Sequence, residues 1–151
     1  MPKHDLEIRP VDASNVEDFI GLIVALAEFE KLTPPDEAAK ERLRRHALHE
    51  KMFHAGVAYV EGRPAAYITY YFTYSTFLAK PTFFLEDIFV LEEFRRRGLG
   101  RKLFHYCRAV AEKEGCGRME WAVLDWNQDA IQFYEGLGGA QQPWYFYRIV
   151  L

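Results

Sequence analysis

The chain has 151 residues, half of them apolar and 27% charged, with a formal net charge of −3. That suits one compact domain able to bury its own core, and it gives no overall field to attract nucleic acid or an anionic membrane. The longest apolar helical stretch, residues 19–27, is far short of the ~20 residues that cross a bilayer, and Glu7 and Arg9 ahead of it do not fit a signal peptide. Cys107 and Cys116 have neither metal-type nor CxxC spacing, so a reduced, cytoplasmic protein is expected.

Residues 6–11 alternate weakly and predict a first strand ending at Pro10. Ser14 and Glu17 fit a capping box, with Asp12 the other candidate cap. Val16, Phe19, Ile20, Ile23, Leu26 and Ala27 then share one helical face, which closes near Lys31. Thr33-Pro34-Pro35-Asp36 breaks the chain and starts a second, more charged helix reaching about His49. Strands over 57–60 and 65–74, joined through Glu61-Gly62-Arg63-Pro64, make a hairpin. Residues 75–81 read as a loop.

Residues 82–90 form an apolar run of strand length without alternation, which predicts a strand covered on both faces. Glu86 and Asp87 interrupt it. Neighbouring strand residues point to opposite faces, and carboxylates in a buried strand are costly unless partnered or used. Both are functional candidates, with a buried ion pair to an arginine as the other reading. After the acidic link Glu92-Glu93 comes Arg95-Arg96-Arg97-Gly98-Leu99-Gly100-Arg101. A helix follows, with Leu103, Tyr106, Cys107, Val110 and Ala111 at helical spacing and Gly115 as its stop. A strand, a glycine turn and a helix N-terminus let backbone N–H groups approach an anionic ligand. The run matches neither GxxxxGK[ST] nor GxGxxG; an ordinary exposed basic turn is the alternative.

Residues 119–124 predict a further strand. Asp125-Trp126-Asn127 turns into a helix through Tyr134 and Leu137, stopped by Gly138-Gly139, and residues 144–151 read as a closing strand. Asn127 is a candidate N-cap or a ligand-binding amide. Tyr134 lies on roughly the same helical face, where Phe133 and Tyr134 could equally be core aromatics. His46, His49, Glu50 and His54 do not share one face, and no metal is expected.

Arg95-x-x-Gly98-x-Gly100 resembles the acyl-CoA pyrophosphate loop of the GNAT superfamily of N-acetyltransferases. Asn127, Ala130 and Phe133-Tyr134 ahead of Gly138 resemble the second half of that family's acyl-CoA site. The order β-α-α-β-β-β-α-β-α-β matches its fold along essentially the whole chain. The expected fold class is thus α/β (α+β): one N-acetyltransferase domain over residues 1–151, with a mixed central sheet flanked by helices. A narrower resemblance, to the diamine acetyltransferase branch with its spermidine/spermine and thialysine-type members, rests on three stretches. These are Leu26-Ala27-Glu28-Phe29-Glu30, Tyr70-Tyr71-Phe72-Thr73-Tyr74 and Leu85-Glu86-Asp87-Ile88-Phe89-Val90, with Asp125-Trp126-Asn127 in support.

The resemblance implies acetyl-CoA as acetyl donor. Its binding residues would be Ile88, Phe89, Val90, Arg95, Arg96, Arg97, Gly98, Leu99, Gly100, Arg101, Asn127 and Tyr134. It implies that Tyr134 protonates the departing thiolate. It also implies an amine pocket of Phe29, Glu30, Glu86, Asp87, Glu120, Trp121 and Ala122. Amine attack needs a proton acceptor, and Glu86 can serve directly or through a water. A homodimer is expected by resemblance only, with a small-molecule amine as partner and neither nucleic acid nor membrane. The match departs at Ser75-Thr76-Phe77, where polyamine enzymes usually carry an acid. A diamine or thialysine-like amino acid is therefore expected ahead of a long polyamine. A protein N-terminal or lysine acetyltransferase is the alternative, and a non-catalytic acyl-CoA-binding module a further one.

Overall fold

A computed structural model describes residues 6–151. In chain order the elements are β1 (Leu6–Pro10), α1 (Val16–Phe29), α2 (Glu37–Leu48), β2 (His54–Val60), β3 (Arg63–Ser75) and β4 (Lys80–Val90). A short 3-10 turn (Glu92–Phe94), α3 (Leu99–Lys113), β5 (Arg118–Trp121) and α4 (Gln128–Gly136) follow. The five strands form one mixed sheet in the order β1-β2-β3-β4-β5. The first four pair antiparallel, whereas β5 lies parallel to β4 because α3 carries the chain back across the sheet. The chain divides into two compact units, one running to Trp121 and one from Ala122 to Leu151.

Helix α1 buries Val16, Phe19, Ile20 and Leu22 against Val57, Tyr59, Tyr67 and Phe89 of the sheet. Phe19 meets Tyr67 edge-on at 5.5 Å between ring centroids. Arg44 of α2 forks onto Glu17 of α1, with Nε donating at 2.6 Å and Nη2 at 3.1 Å. Helix α3 packs on β4 and buries Leu99, Leu103, Phe104, Cys107 and Ala111. Phe83 of β4 is fully buried and stacks on Tyr70 of β3 at 4.5 Å.

The β2–β3 hairpin closes on two residues, Glu61 and Gly62, both with positive φ. This is the turn whose twist matches paired strands. Pro64 lies just inside β3 rather than in the turn. It has no N–H to donate, and the pairing register slips beside it, between Ala58 and Tyr59. A second slip decides the site: Leu85 pairs with Tyr70 and Asp87 with Thr69, so Glu86 is an extra residue in β4, a β-bulge.

Three local expectations are corrected. Helix α1 has no side-chain cap at its N-cap, Asn15. Asn15 Oδ1 instead accepts the Asp12 N–H at 2.8 Å and Glu17 is taken by Arg44, so the capping box does not form. The loop over 75–81 shrinks to a turn between Ser75 and Lys80, because β3 and β4 continue pairing up to those residues. Residues 144–151 form no strand and are exposed. Their composition favours β structure, but a strand also needs a ladder partner for its backbone groups.

Candidate active site

The bulge at Glu86 undoes the alternation expected along β4. Tyr67 and Thr69, two apart on β3, share one face of the sheet. The Tyr67 hydroxyl donates to Asp87 Oδ2 at 2.7 Å, and Thr69 Oγ1 donates to Glu86 Oε2 in a short hydrogen bond. Two sequence neighbours therefore reach the same face, because one extra residue separates their strand positions. Glu86 is exposed and Asp87 half-buried, so β4 is open to solvent at the bulge rather than covered throughout. Among the described residues neither carboxylate is paired with an arginine; the hydroxyls of β3 take that place.

Glu30, just past the end of α1, is the third member of this acidic face. Its charge acts on both Tyr67 and Asp87. Burial, with Glu86 and Glu30 nearby, raises the Asp87 carboxyl from its usual 3.8 to about 6, against the opposing hydrogen bonds from Tyr67 and the Ile88 N–H. Burial first, and Asp87 next, hold the Tyr67 hydroxyl far above the ordinary tyrosine range, so it stays a donor. Tyr71 feels burial and then the charge of Glu86.

Phe29 and Glu30 end α1 beside this face. The Phe29 ring stands 6.2 Å from that of Phe89, and the Arg95 guanidinium lies 4.3 Å over it. The amine-pocket residues expected on β5 divide. Glu120 is ion-paired with Arg118 at 3.0 Å. Trp121 sits edge-on to buried Phe104 of α3 at 5.3 Å, so its ring packs toward α3. Ala122 begins the second unit and is exposed.

Beyond Leu85, which pairs with Trp121, β5 ends, and among the described residues no further strand pairs with the outer edge of β4. The Leu91 N–H bonds the Ala65 carbonyl on β3 at 2.9 Å, so by alternation the Val90 N–H points to the open edge. On that same edge the Ile88 N–H is taken by Asp87 Oδ1 at 2.9 Å. Among the described residues, the Val90 N–H thus turns to this edge without the carboxylate partner that the Ile88 N–H has.

The turn after β4 presents backbone N–H groups without helical partners. Arg96 and Gly98 have φ of 62° and 77°, and Gly98 is the N-cap of α3 with no side-chain cap bond. The first bond into the helix is Lys102 N–H to the Gly98 carbonyl at 3.1 Å. The N–H groups of Leu99, Gly100 and Arg101 therefore have no acceptor within the helix, and the helix dipole adds to their pull on an anion. Arg96, Arg97 and Arg101 are exposed around this opening. Arg95 is not among them: its Nε donates to the Val90 carbonyl at 2.8 Å and its guanidinium covers Phe29. These N–H groups and exposed arginines fit a pyrophosphate-bearing coenzyme.

In the second unit, Asn127 caps α4 by accepting the Ala130 N–H at 3.1 Å. Tyr134 is half-buried on α4, its ring edge-on to Phe133 at 5.1 Å. The residues that sequence reasoning missed are Tyr67 and Thr69. Their signal was weak: two hydroxyls at alternate positions of the strand's buried first half need partners, but β3 carries five more hydroxyl residues after them.

Residues 20–138 match the model of the acetyltransferase (GNAT) family. The chain belongs to that family and is an acyltransferase. It is 36% identical over 131 residues to a thialysine N-epsilon-acetyltransferase of Caenorhabditis elegans, covering 87% of this chain and 81% of that one. Among solved structures, a possible acetyltransferase from Clostridium difficile 630 shares the fold with a TM-score of 0.85 at 22% identity, over 97% of both chains. The aminoglycoside N-acetyltransferase AAC(6')-Iy, solved in complex with CoA, superposes with a TM-score of 0.77 at 23% identity, over 99% of this chain and 98% of that one.

Proposed function

We propose that the protein transfers the acetyl group of acetyl-CoA to a primary amine of a small cationic acceptor, a diamine or a thialysine-like amino acid ahead of a long polyamine. The observation that carries this reading is the acidic face of Glu30, Glu86 and Asp87, which the β4 bulge assembles where two carboxylates were expected to diverge. Such a face binds an ammonium group. The similarity to a thialysine N-epsilon-acetyltransferase of Caenorhabditis elegans supports the same acceptor class.

The chemistry divides among named groups. An alkyl ammonium has a pKa near ~10.4 and must lose a proton before attack; Glu86 takes it, directly or through a water. The amine nitrogen then bonds the acetyl carbon while the Val90 N–H meets the oxyanion. The carbon–sulfur bond breaks, the thiolate takes a proton from Tyr134, and the extra proton still on the nitrogen passes through water to the Tyr134 phenolate, leaving a neutral amide. The N–H groups of residues 99–101 and the exposed Arg96, Arg97 and Arg101 hold the coenzyme's phosphates.

The test is acetyl-CoA-dependent thiol release across a panel of diamines, polyamines, amino acids and peptides. Diamines and basic amino acids should lead. The acceptor reading falls if neutral monoamines or peptide N-termini are acetylated better than every diamine and basic amino acid tested.

A further inference from the structure

Two buried hydroxyls of β3 have no part in the steps above. Tyr67 is 2% exposed and Thr69 5%. A Phe and a Val would fill the same space without the penalty of burying a polar group, which is offset only by a hydrogen bond. Both hydroxyls spend that bond on the bulged carboxylates, Tyr67 on Asp87 at 2.7 Å and Thr69 on Glu86.

Resting on the amine-transfer reading, we propose that Tyr67 and Thr69 are positioning residues that aim the two bulge carboxylates at the acceptor's ammonium, Thr69 setting Glu86 as proton acceptor and Tyr67 setting Asp87 as a second anion. The stiffness of each hydroxyl suits the task. Thr is β-branched and restricted at χ1, so its bond to Glu86 Oε2 orients a long, exposed carboxylate and leaves Oε1 for the substrate. The Tyr67 ring is locked between Phe19 and Phe89, at 5.5 and 6.1 Å. Its hydroxyl takes Asp87 Oδ2 while the Ile88 N–H takes Oδ1, which fixes the plane of that carboxylate.

The groups facing Asp87 are Glu86 from its own strand, Glu30 from the end of α1 and Tyr67 from β3. Burial and the two carboxylates favour its neutral form, bringing it to about 6, and Tyr67 opposes them. Deleting the Tyr67 hydroxyl therefore moves the Asp87 midpoint upward. A hydrogen bond to a charged group corresponds to a rise of about one to two pH units.

The experiment compares wild type with Tyr67→Phe, Thr69→Val and Thr69→Ser. The Asp87 carboxyl is titrated by carbon-13 NMR, and pH profiles are recorded for the best amine. In Tyr67→Phe the midpoint and the acid limb of kcat/KM should rise together by about one to two units, with kcat on the alkaline side near wild type. Thr69→Val should lower kcat by about tenfold or more with the KM for acetyl-CoA unchanged, and Thr69→Ser should restore it. An unmoved midpoint in folded Tyr67→Phe, or Thr69→Ser no better than Thr69→Val, overturns the positioning role. The NMR titration needs no turnover, so the two readings separate. A shifted midpoint in a chain that acetylates no amine overturns the amine-transfer reading, and an unshifted midpoint in an active chain overturns the inference.

Discussion

Arg95 donates its Nε hydrogen to the Val90 carbonyl at 2.8 Å while its guanidinium lies 4.3 Å over the ring of Phe29. The first arginine of the loop thus satisfies the open edge of β4 and pins the end of α1, joining the acidic face to the glycine turn before α3. Arg95→Ala should destabilise the fold by about 1–2 kcal/mol through a lost charge-assisted bond and cation–π contact. Arg96→Ala, at an exposed position with positive φ, should leave stability within about 0.5 kcal/mol and raise the KM for acetyl-CoA. Denaturant unfolding with initial rates separates the two. Equal stability loss in both would contradict the division.

Gly98 has a φ of 77°, and a Cβ built there meets nothing within 4 Å. Substitution strains the backbone without striking a neighbour, at a cost of about 1–2 kcal/mol for a side chain in the left-handed region. Gly98→Val should fold, yet weaken acetyl-CoA binding because the N–H groups of Leu99 and Gly100 are re-aimed. Calorimetry on the folded variant tests this; unchanged affinity would remove the turn from the coenzyme site.

Tyr134→Phe keeps the aromatic body and its edge-on contact with Phe133. If the hydroxyl serves the leaving thiolate, kcat should fall by ~10²-fold or more with little change in acetyl-CoA affinity, the signature of an interaction used in the transition state. Unchanged turnover would return Tyr134 to packing alone.

Asp87 ties pH to stability. Its carboxyl rises from 3.8 to about 6 on folding, so between those values the folded chain holds more protons than the unfolded chain. Stability from this group is full below the lower value and is lost as pH rises through the higher one. The loss is on the order of 2–3 kcal/mol. Asp12 and Glu17, held below the ordinary range by Ser14 and by Arg44, act in the opposite sense. The difference between wild type and Asp87→Asn isolates the effect. Urea unfolding should show Asp87→Asn gaining on wild type as pH rises from about 4 to 6; parallel curves would refute the coupling.

Much of this architecture is carried by local pattern. Helical spacing at Leu103, Cys107 and Ala111 placed α3, and Glu61-Gly62-Arg63-Pro64 marked the hairpin turn, which strand pairing narrows to Glu61 and Gly62, because periodicity and turn composition are properties of neighbouring residues. The family also stood in the chain itself, in Arg95-x-x-Gly98-x-Gly100. What the chain order could not reveal is how β4 registers against β3. Alternation sends Glu86 and Asp87 apart, and only the slip that pairs Asp87 with Thr69 and Leu85 with Tyr70 brings them to one face. Pairing between residues distant in the chain, not between neighbours, decides where a bulge falls. The same holds for Arg95: its sequence position speaks of phosphate, and only the fold adds its bond to the Val90 carbonyl and its place over Phe29. Residues 144–151 make the converse point, since β-type composition builds no strand without a partner for its backbone.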